Sequence, residues 1–380
     1  MTPSDRIRVG LNLVFLGERA GGIGRYAEAL LERLAIDDDV ELSAFVSRDA
    51  PRHLFQQPWS DAVEWIRLPV RLSGPPTHLV AQLAMIPAEA RRRGLQVVHS
   101  PANSGPLRTP GCAHVLTLHD LVWIHYPEQW ETRRAARSAR ALSTATARRA
   151  DLVIADSTAS RDDFVQTLGL DSQRISVVAL GVDPPRVAPT PEPEVRDTLG
   201  FGERPLILCV SQKRPYKNQE ALIRALVSLP EAGLVVPGAA TSYEQSLREL
   251  AAELGVADRV AFPSWVSDAD LEGLYAASRC FALPSLFEGF GLPVLEAMAR
   301  GLPVVCSDAW SLPEVAGQAA LLVDATNHDT LARAIRRVLD DAQLRDRLVR
   351  AGHARAATFS WDRTGTETVA AYRRSIESRR

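Results

Sequence analysis

One pattern runs the length of the chain: short apolar, β-branched runs alternating with helical patterns. IRVGLNLVF (7–15) precedes a glycine cluster and the helical stretch RYAEALLERLA (25–35). VELSAFVS (40–47), LQVVHS (95–100), HVLTLHD (114–120) and ADLVIADS (150–157) follow, with helical patterns between several of them. Continuous apolar strands separated by helices predict a parallel sheet covered on both faces. The alternation stops in VDPPRVAPTPEPEVRD (182–197), a proline-dense run that reads as an extended interdomain linker. It then restarts with strands at 205–211, 233–238, 259–264, 280–285, 303–308 and 319–324, and helices at 218–229, 243–254, 268–277 and 293–300.

The expected fold class is therefore α/β: two doubly wound, Rossmann-like domains, with ligands in a cleft at the carboxyl ends of the two sheets. The expected boundaries are residues 1–183, a linker at 184–197, a second domain at 198–360, and a C-terminal helix at 361–380 packing back on the first domain. A length of 380 residues suits two domains of ordinary size. Net charge is −2, so no global field argues for nucleic acid. Cys112, Cys209, Cys280 and Cys306 lie in or beside apolar runs and form no CxxC pair, as buried thiols in a reducing, cytoplasmic setting would. The N-terminus reads as a strand rather than a signal peptide, and no apolar run reaches membrane-spanning length, so any membrane contact would be peripheral.

The second half carries the most informative block, LPSLFEGFGLPVLEAMARGLPVVCSD (283–308). A strand is expected to end near Pro284, a loop with Gly289 and Gly291 to follow, and a helix to start near Pro293. Glycines before a helix N-terminus permit close backbone approach to an anion, phosphate above all. Glu288 and Glu296 flank this loop, where carboxylates can accept hydrogen bonds from paired hydroxyls. Taken singly, Glu296 reads equally as a helix-dipole partner and Glu288 as an ordinary loop acid.

The other marked stretch is SQKRPYKN (211–218), which contains both lysines of the chain, Lys213 and Lys217, against 42 arginines. It follows the strand PLILCV, so these cations are expected at the carboxyl end of a sheet, where a leaving diphosphate needs positive charge.

Taken together, GGIGRYAEAL, LTLHDLVWIHYPEQW, IADSTASRDDF, VSQKRPYKNQEALIRAL and the E-x7-E block FEGFGLPVLEAMARGLPVV resemble the retaining glycosyltransferases of family 4, which have the GT-B fold. HDLVWIHYPEQW is most similar to members acting on GDP-mannose. The resemblance implies a metal-independent hexosyltransferase without cofactors. It would move mannose from a nucleotide sugar to a glycan, lipid-linked or small-molecule acceptor bound by the first domain. Glu296 matches the ribose-binding glutamate and Glu288 the one near the donor sugar. Gly289, Phe290, Gly291 and Leu292 would contact sugar and phosphate through their backbone, and Val266 and Lys213 join the donor set. Lys217 matches the phosphate-binding lysine. Gln212 stands where the family carries arginine, so Arg214 or Lys213 is left to supply the second cation. His119 matches a histidine at the transferred sugar, while Asp120 shares its strand end and His99 is a weaker candidate. Gly21 and Gly22 would close over donor or acceptor, with Arg25 assisting. No Asp-x-Asp stands where a bound metal would be expected.

Two other readings are available. Gly22, Gly24 and Ala27 satisfy G-x-G-x-x-A with Asp49 downstream, the pattern of an NAD(P)-dependent oxidoreductase; the distance from the strand to these glycines argues against it. A non-catalytic nucleotide-sugar-binding protein would share the donor site. The basic helix 133–150, with Arg133, Arg134, Arg137, Arg140, Arg148 and Arg149, could meet an anionic lipid, though a solvated face is the commoner explanation.

Overall fold

The computed structural model describes residues 6–18, 21–72, 79–129 and 133–379. It divides into two compact units: residues 6–181 with 361–379 of the tail, and Val182–Ser360. Each unit is built on a wholly parallel sheet with helices in the crossovers.

The strands of the first unit are β1 (Ile7–Leu13), β2 (Val40–Val46), β3 (Val63–Arg67), β4 (Val97–Ser100), β5 (Ala113–Leu118), β6 (Leu152–Ala155) and β7 (Ile175–Val177), in the order β3-β2-β1-β4-β5-β6-β7. Its interior strands are buried on both faces, which is why they read as continuous apolar runs rather than alternations. Phe45, Ile66, Leu95 and Val98 fill one side, and Leu116, Leu118, Phe164 and Ile175 another. The helix Trp361–Glu377 belongs to this unit, burying Trp361, Val369 and Tyr372. Its Thr364 hydroxyl donates to Ala179 O at 2.8 Å.

The second unit carries β8 (Leu206–Leu208), β9 (Gly233–Val235), β10 (Val260–Ala261), β11 (Ser278–Leu283), β12 (Val304–Ser307) and β13 (Ala320–Val323), in the order β10-β9-β8-β11-β12-β13. The strand order reverses between β8 and β11, so the loops after these two strands flank the switch point where doubly wound folds bind ligands.

The proline-dense run is not wholly extended. Its second half is the helix Glu192–Leu199, with Pro193 in the first turn and Gly200 closing it in the left-handed region. Proline suits that position because its missing N–H has no helical partner to lose. The segment is fastened to the second unit: Thr190 N donates to Ala269 O at 2.9 Å and its hydroxyl to Asp270 at 2.7 Å. The extended backbone expected across this run is thus helical over Glu192–Leu199.

Among the described residues, no helix is long and apolar enough to cross a membrane. The four cysteines are buried and unpaired. The basic helix forms as Arg133–Arg149; the side chains of Arg133 and Arg134 lie outside the described residues. Arg137, Arg140 and Arg149 face solvent, and Arg148 binds Leu168 O at 3.2 Å.

Candidate functional site

In the second unit, the loop after β8 turns through a short 3₁₀ segment, Pro215–Lys217, and Asn218 then takes a left-handed conformation (φ 55°) to start the helix Gln219–Val227. Asn218 tolerates this backbone better than most residues. Its side-chain amide donates to Pro284 O (3.2 Å) and Ala325 O (2.8 Å), which ties this loop to the end of β11. Leu286 N donates to Tyr216 O at 2.8 Å, a second tie.

This joins Lys217 to Glu288. The Lys217 ammonium donates to Glu288 Oε1 at 2.7 Å and stands 4.9 Å from the centroid of the Tyr216 ring. Ser285 Oγ donates to the same Oε1 at 2.7 Å. The helix Leu292–Ala299 begins at Gly291, whose φ of 99° favours glycine. A Cβ there would come within 2.4 Å of Leu312 Cδ2. Ser311 Oγ donates to Glu288 O (3.0 Å) and Phe290 O (2.8 Å), clamping the loop from behind. Gly289, Phe290, Gly291 and Leu292 are buried, so the loop's shape is set by packing.

Glu296 lies one turn into that helix and is 5% exposed. Its Oε2 accepts from the Tyr275 hydroxyl at 3.2 Å. Arg300, 4.9 Å over the Tyr275 ring and hydrogen-bonded to Glu272 and to Glu296 O, holds the phenol in place. Tyr275 carries no motif signal in the sequence.

Lys213 is placed elsewhere. Its side chain is fully buried, and its ammonium donates to Gly238 O (2.6 Å) and Pro263 O (2.9 Å), with Glu244 at 3.6 Å. Burial outweighs the Glu244 carboxylate and lowers its pKa below the ordinary lysine value. An ammonium enclosed in this way braces the ends of β9 and β10 and does not face a ligand, so Lys213 is withdrawn from the donor-binding set. Arg214 is half-buried, with its carbonyl accepting from Lys217 N at 2.9 Å. Gln212 is exposed, and half-buried Val266 lies in the loop after β10.

In the first unit, His119 directly follows β5 and is 6% exposed. Its Nδ1 meets Asp156 Oδ2 at 2.7 Å and its Nε2 meets Pro101 O at 3.3 Å. Burial alone would lower its pKa, but the charge and hydrogen bond of Asp156 prevail, and the pKa is raised. Asp156 Oδ1 is buried and has no hydrogen-bond partner among the described residues. Tyr26 packs edge-on against the imidazole, centroids 4.9 Å apart. Asp156 was legible only as the end of the strand after His119's; nothing in the sequence pairs the two.

His99 is not a ligand-facing group. Its Nδ1 meets the Tyr372 hydroxyl at 2.7 Å and its Nε2 the Thr117 hydroxyl at 2.8 Å, and burial lowers its pKa to about 3. Asp120 Oδ1 accepts from Val122 N at 3.1 Å. Gly21 (φ 61°) and Gly22 open the helix Gly21–Ala35, and a Cβ on Gly22 would meet nothing within 4 Å. Gly24 and Ala27 are buried inside that helix, and Asp49 is engaged by Leu72 N at 2.7 Å. The glycines therefore do not form the tight turn after β1 that a dinucleotide fingerprint requires.

Comparison with known proteins accords with this architecture. Residues 20–186 match the model of Glycosyltransferase Family 4, and residues 192–355 match Glycosyl transferases group 1. The chain belongs to these glycosyltransferases, one domain in each unit, and the dinucleotide reading is set aside. O-antigen chain mannosyltransferase B of Escherichia coli is 39% identical over 171 residues, 44% of this chain and 45% of that protein. The MMP alpha-(1->4)-mannosyltransferase of Mycolicibacterium hassiacum is 37% identical over 177 residues, 45% of this chain and 43% of that protein. The chain thus spans about half the length of the curated relatives it matches. Among solved structures, sucrose-phosphate synthase from Thermosynechococcus elongatus superposes with a TM-score of 0.76 at 22% identity, covering 97% of this chain and 99% of that one. Anabaena HepE in complex with UDP and glucose gives 0.73 at 23% identity, covering 96% and 98%. These likenesses establish the GT-B fold class.

Proposed function

We propose that the protein is a retaining hexosyltransferase that moves mannose from GDP-mannose to a hydroxyl acceptor without a metal. One observation carries the reading: Lys217, Glu288 and the N-terminus of the Leu292–Ala299 helix meet at the switch point of the second sheet, with the buried carboxylate Glu296 one turn on. Cation and helix N–H groups suit a diphosphate, and the two carboxylates suit ribose and hexose hydroxyls. Lys217 would exchange its contact with Glu288 for a phosphate oxygen, freeing Glu288 for the sugar. The bond from the anomeric carbon to the phosphate oxygen breaks, and the acceptor oxygen bonds to the same face. Its proton passes to the departing phosphate, giving a mannosylated acceptor and GDP. The mannose donor is favoured by the mannosyltransferase relatives. His119, oriented by Asp156, would offer its imidazole to a sugar hydroxyl, and the acceptor is a glycan, lipid-linked or small-molecule hydroxyl.

A thermal-shift panel with GDP, UDP, ADP and NAD, followed by GDP release from GDP-mannose, tests this. GDP at about 100 times its Kd should add about 2.7 kcal/mol to the second unit's stability. Stabilisation by UDP alone would reassign the donor. Binding without transfer to any acceptor would make the protein a nucleotide-sugar sensor. Activity should survive EDTA; loss by chelation with rescue by Mg²⁺ or Mn²⁺ would overturn metal independence.

A further inference from the structure

Trp310 stands in a conformation that bulky side chains avoid. Its φ is 55°, in the left-handed region that favours glycine, where a large residue is an outlier. Such strain persists only where the surroundings enforce it, and it gathers at ligand-binding positions. Core packing does not account for it, because Trp310 is 37% exposed.

The enforcement is visible on both sides. The following residue, Ser311, is the one whose hydroxyl holds the carbonyls of Glu288 and Phe290. The next, Leu312, packs against Gly291 so closely that no Cβ fits between them. On the other side, the Phe287 and Trp310 rings meet edge to face, centroids 4.4 Å apart at 73°. Segment 310–312 is therefore locked to the loop bearing Glu288, and the indole is set at one angle.

We propose that Trp310 is a stacking platform for a hexopyranose ring presented to the Glu288–Lys217 pair. This rests on the glycosyltransferase reading above. A pyranose offers a face of C–H groups and a rim of hydroxyls; an aromatic plane covers the first while a carboxylate and an ammonium bind the second. Tryptophan supplies that area with only two torsions to freeze. Trp310 follows β12, the neighbour of β11 and of the loop carrying Glu288, the carboxylate proposed for the hexose hydroxyls. The ring recognised belongs either to the donor or to the acceptor.

The test uses the full chain with Trp310→Gly and Trp310→Phe, probed with GDP, GDP-mannose and methyl α-mannoside added over saturating GDP. Glycine accepts φ 55°, so Trp310→Gly keeps the fold, checked by its Tm. GDP affinity should be unchanged in both variants. Trp310→Gly should lose about five- to tenfold in affinity for one sugar-bearing probe, with most of it regained in Trp310→Phe. Loss on GDP-mannose alone assigns the donor's ring, and loss on methyl α-mannoside alone assigns the acceptor's. Unchanged affinity for both sugars, or an equal loss on GDP, overturns the platform. A wild-type protein that binds no nucleotide refutes the donor site itself, and the platform with it, a result distinct from any failure confined to Trp310.

Discussion

The two lysines, four residues apart, do opposite work. Lys217 keeps 16% of its side chain exposed and pairs with the Glu288 carboxylate, the contact proposed to yield to a phosphate. Lys213 has none of its side chain exposed and binds the backbone carbonyls of Gly238 and Pro263. Replacing Lys217 with alanine should lower kcat/KM at least about tenfold, or about 1.4 kcal/mol, with little change in Tm. Glu296→Ala should lower it as much, through loss of the proposed ribose contact. Steady-state kinetics check both, and wild-type rates in the two variants would sink the assignment. Lys213→Ala should show the reverse emphasis. It removes the buried ammonium that donates to Gly238 O and Pro263 O beside Glu244, at a cost of about 2 kcal/mol or more. The second unit's Tm should fall by about 5 °C or more. An unchanged Tm with lost donor binding would return Lys213 to the ligand. Sequence alone could not separate these roles: both lysines sit past the same strand, and only the folding of the β9 and β10 loops over one of them tells them apart.

At the scale of elements, the sheets were legible because parallel strands buried on both faces leave continuous apolar runs, as in HVLTLHD and CFALPS. β3 and β7 were not: each is short and lies at a sheet edge, where half-exposed positions blur the pattern. The Glu192–Leu199 helix was hidden by prolines that were read as extended backbone but lie at its cap and first turn. In the candidate site, the E-x7-E block and Lys217 were legible as motifs. Asp156, Tyr275 and Trp310 were not, because each acts through a neighbour that is distant in sequence. The buried histidines of β4 and β5 carry a pH signature. His99 and His114 have pKa values lowered by burial, to about 3 and about 4. A lowered pKa means stability present above the unfolded value near 6.5 and lost as pH falls toward the folded value. Each should cost the first unit about 2 kcal/mol between pH 7 and pH 5. His119, with its raised pKa, acts with the opposite sign, its contribution present below about 6.5 and lost as pH rises through the folded value. Urea unfolding at the two pH values isolates the His99 share by difference. Wild type should lose about 2 kcal/mol more than His99→Gln over that interval, and equal losses would contradict a neutral, buried His99.

For the whole molecule, the notable property is that the first unit is discontinuous. Its sheet is completed in sequence before residue 182, yet part of its core arrives with the last helix. Tyr372 is fully buried and hydrogen-bonds His99, whose other nitrogen meets Thr117, which in turn bonds Tyr26. The C-terminal helix is thereby joined to β4, β5 and the helix that begins at Gly21. Arg374 adds a bond to Gln173 O at 2.7 Å. Removing residues 361–380 would expose the surfaces covered by Trp361, Val369 and Tyr372. Each of these side chains is worth about 1.5–3 kcal/mol in burial alone, a sum comparable to the 5–15 kcal/mol that holds an ordinary domain together. The truncated chain should therefore lose the first unit's cooperative unfolding transition while Val182–Ser360, with its own sheet and core, keeps one. GDP should still raise the Tm of that remaining transition, and mannosyl transfer should be absent. Calorimetry with and without GDP reads both halves of the expectation. A first unit that still melts within a few degrees of its full-length value would show that its core is complete without the last helix. A GDP response lost along with that helix would show that the second unit does not hold the nucleotide alone.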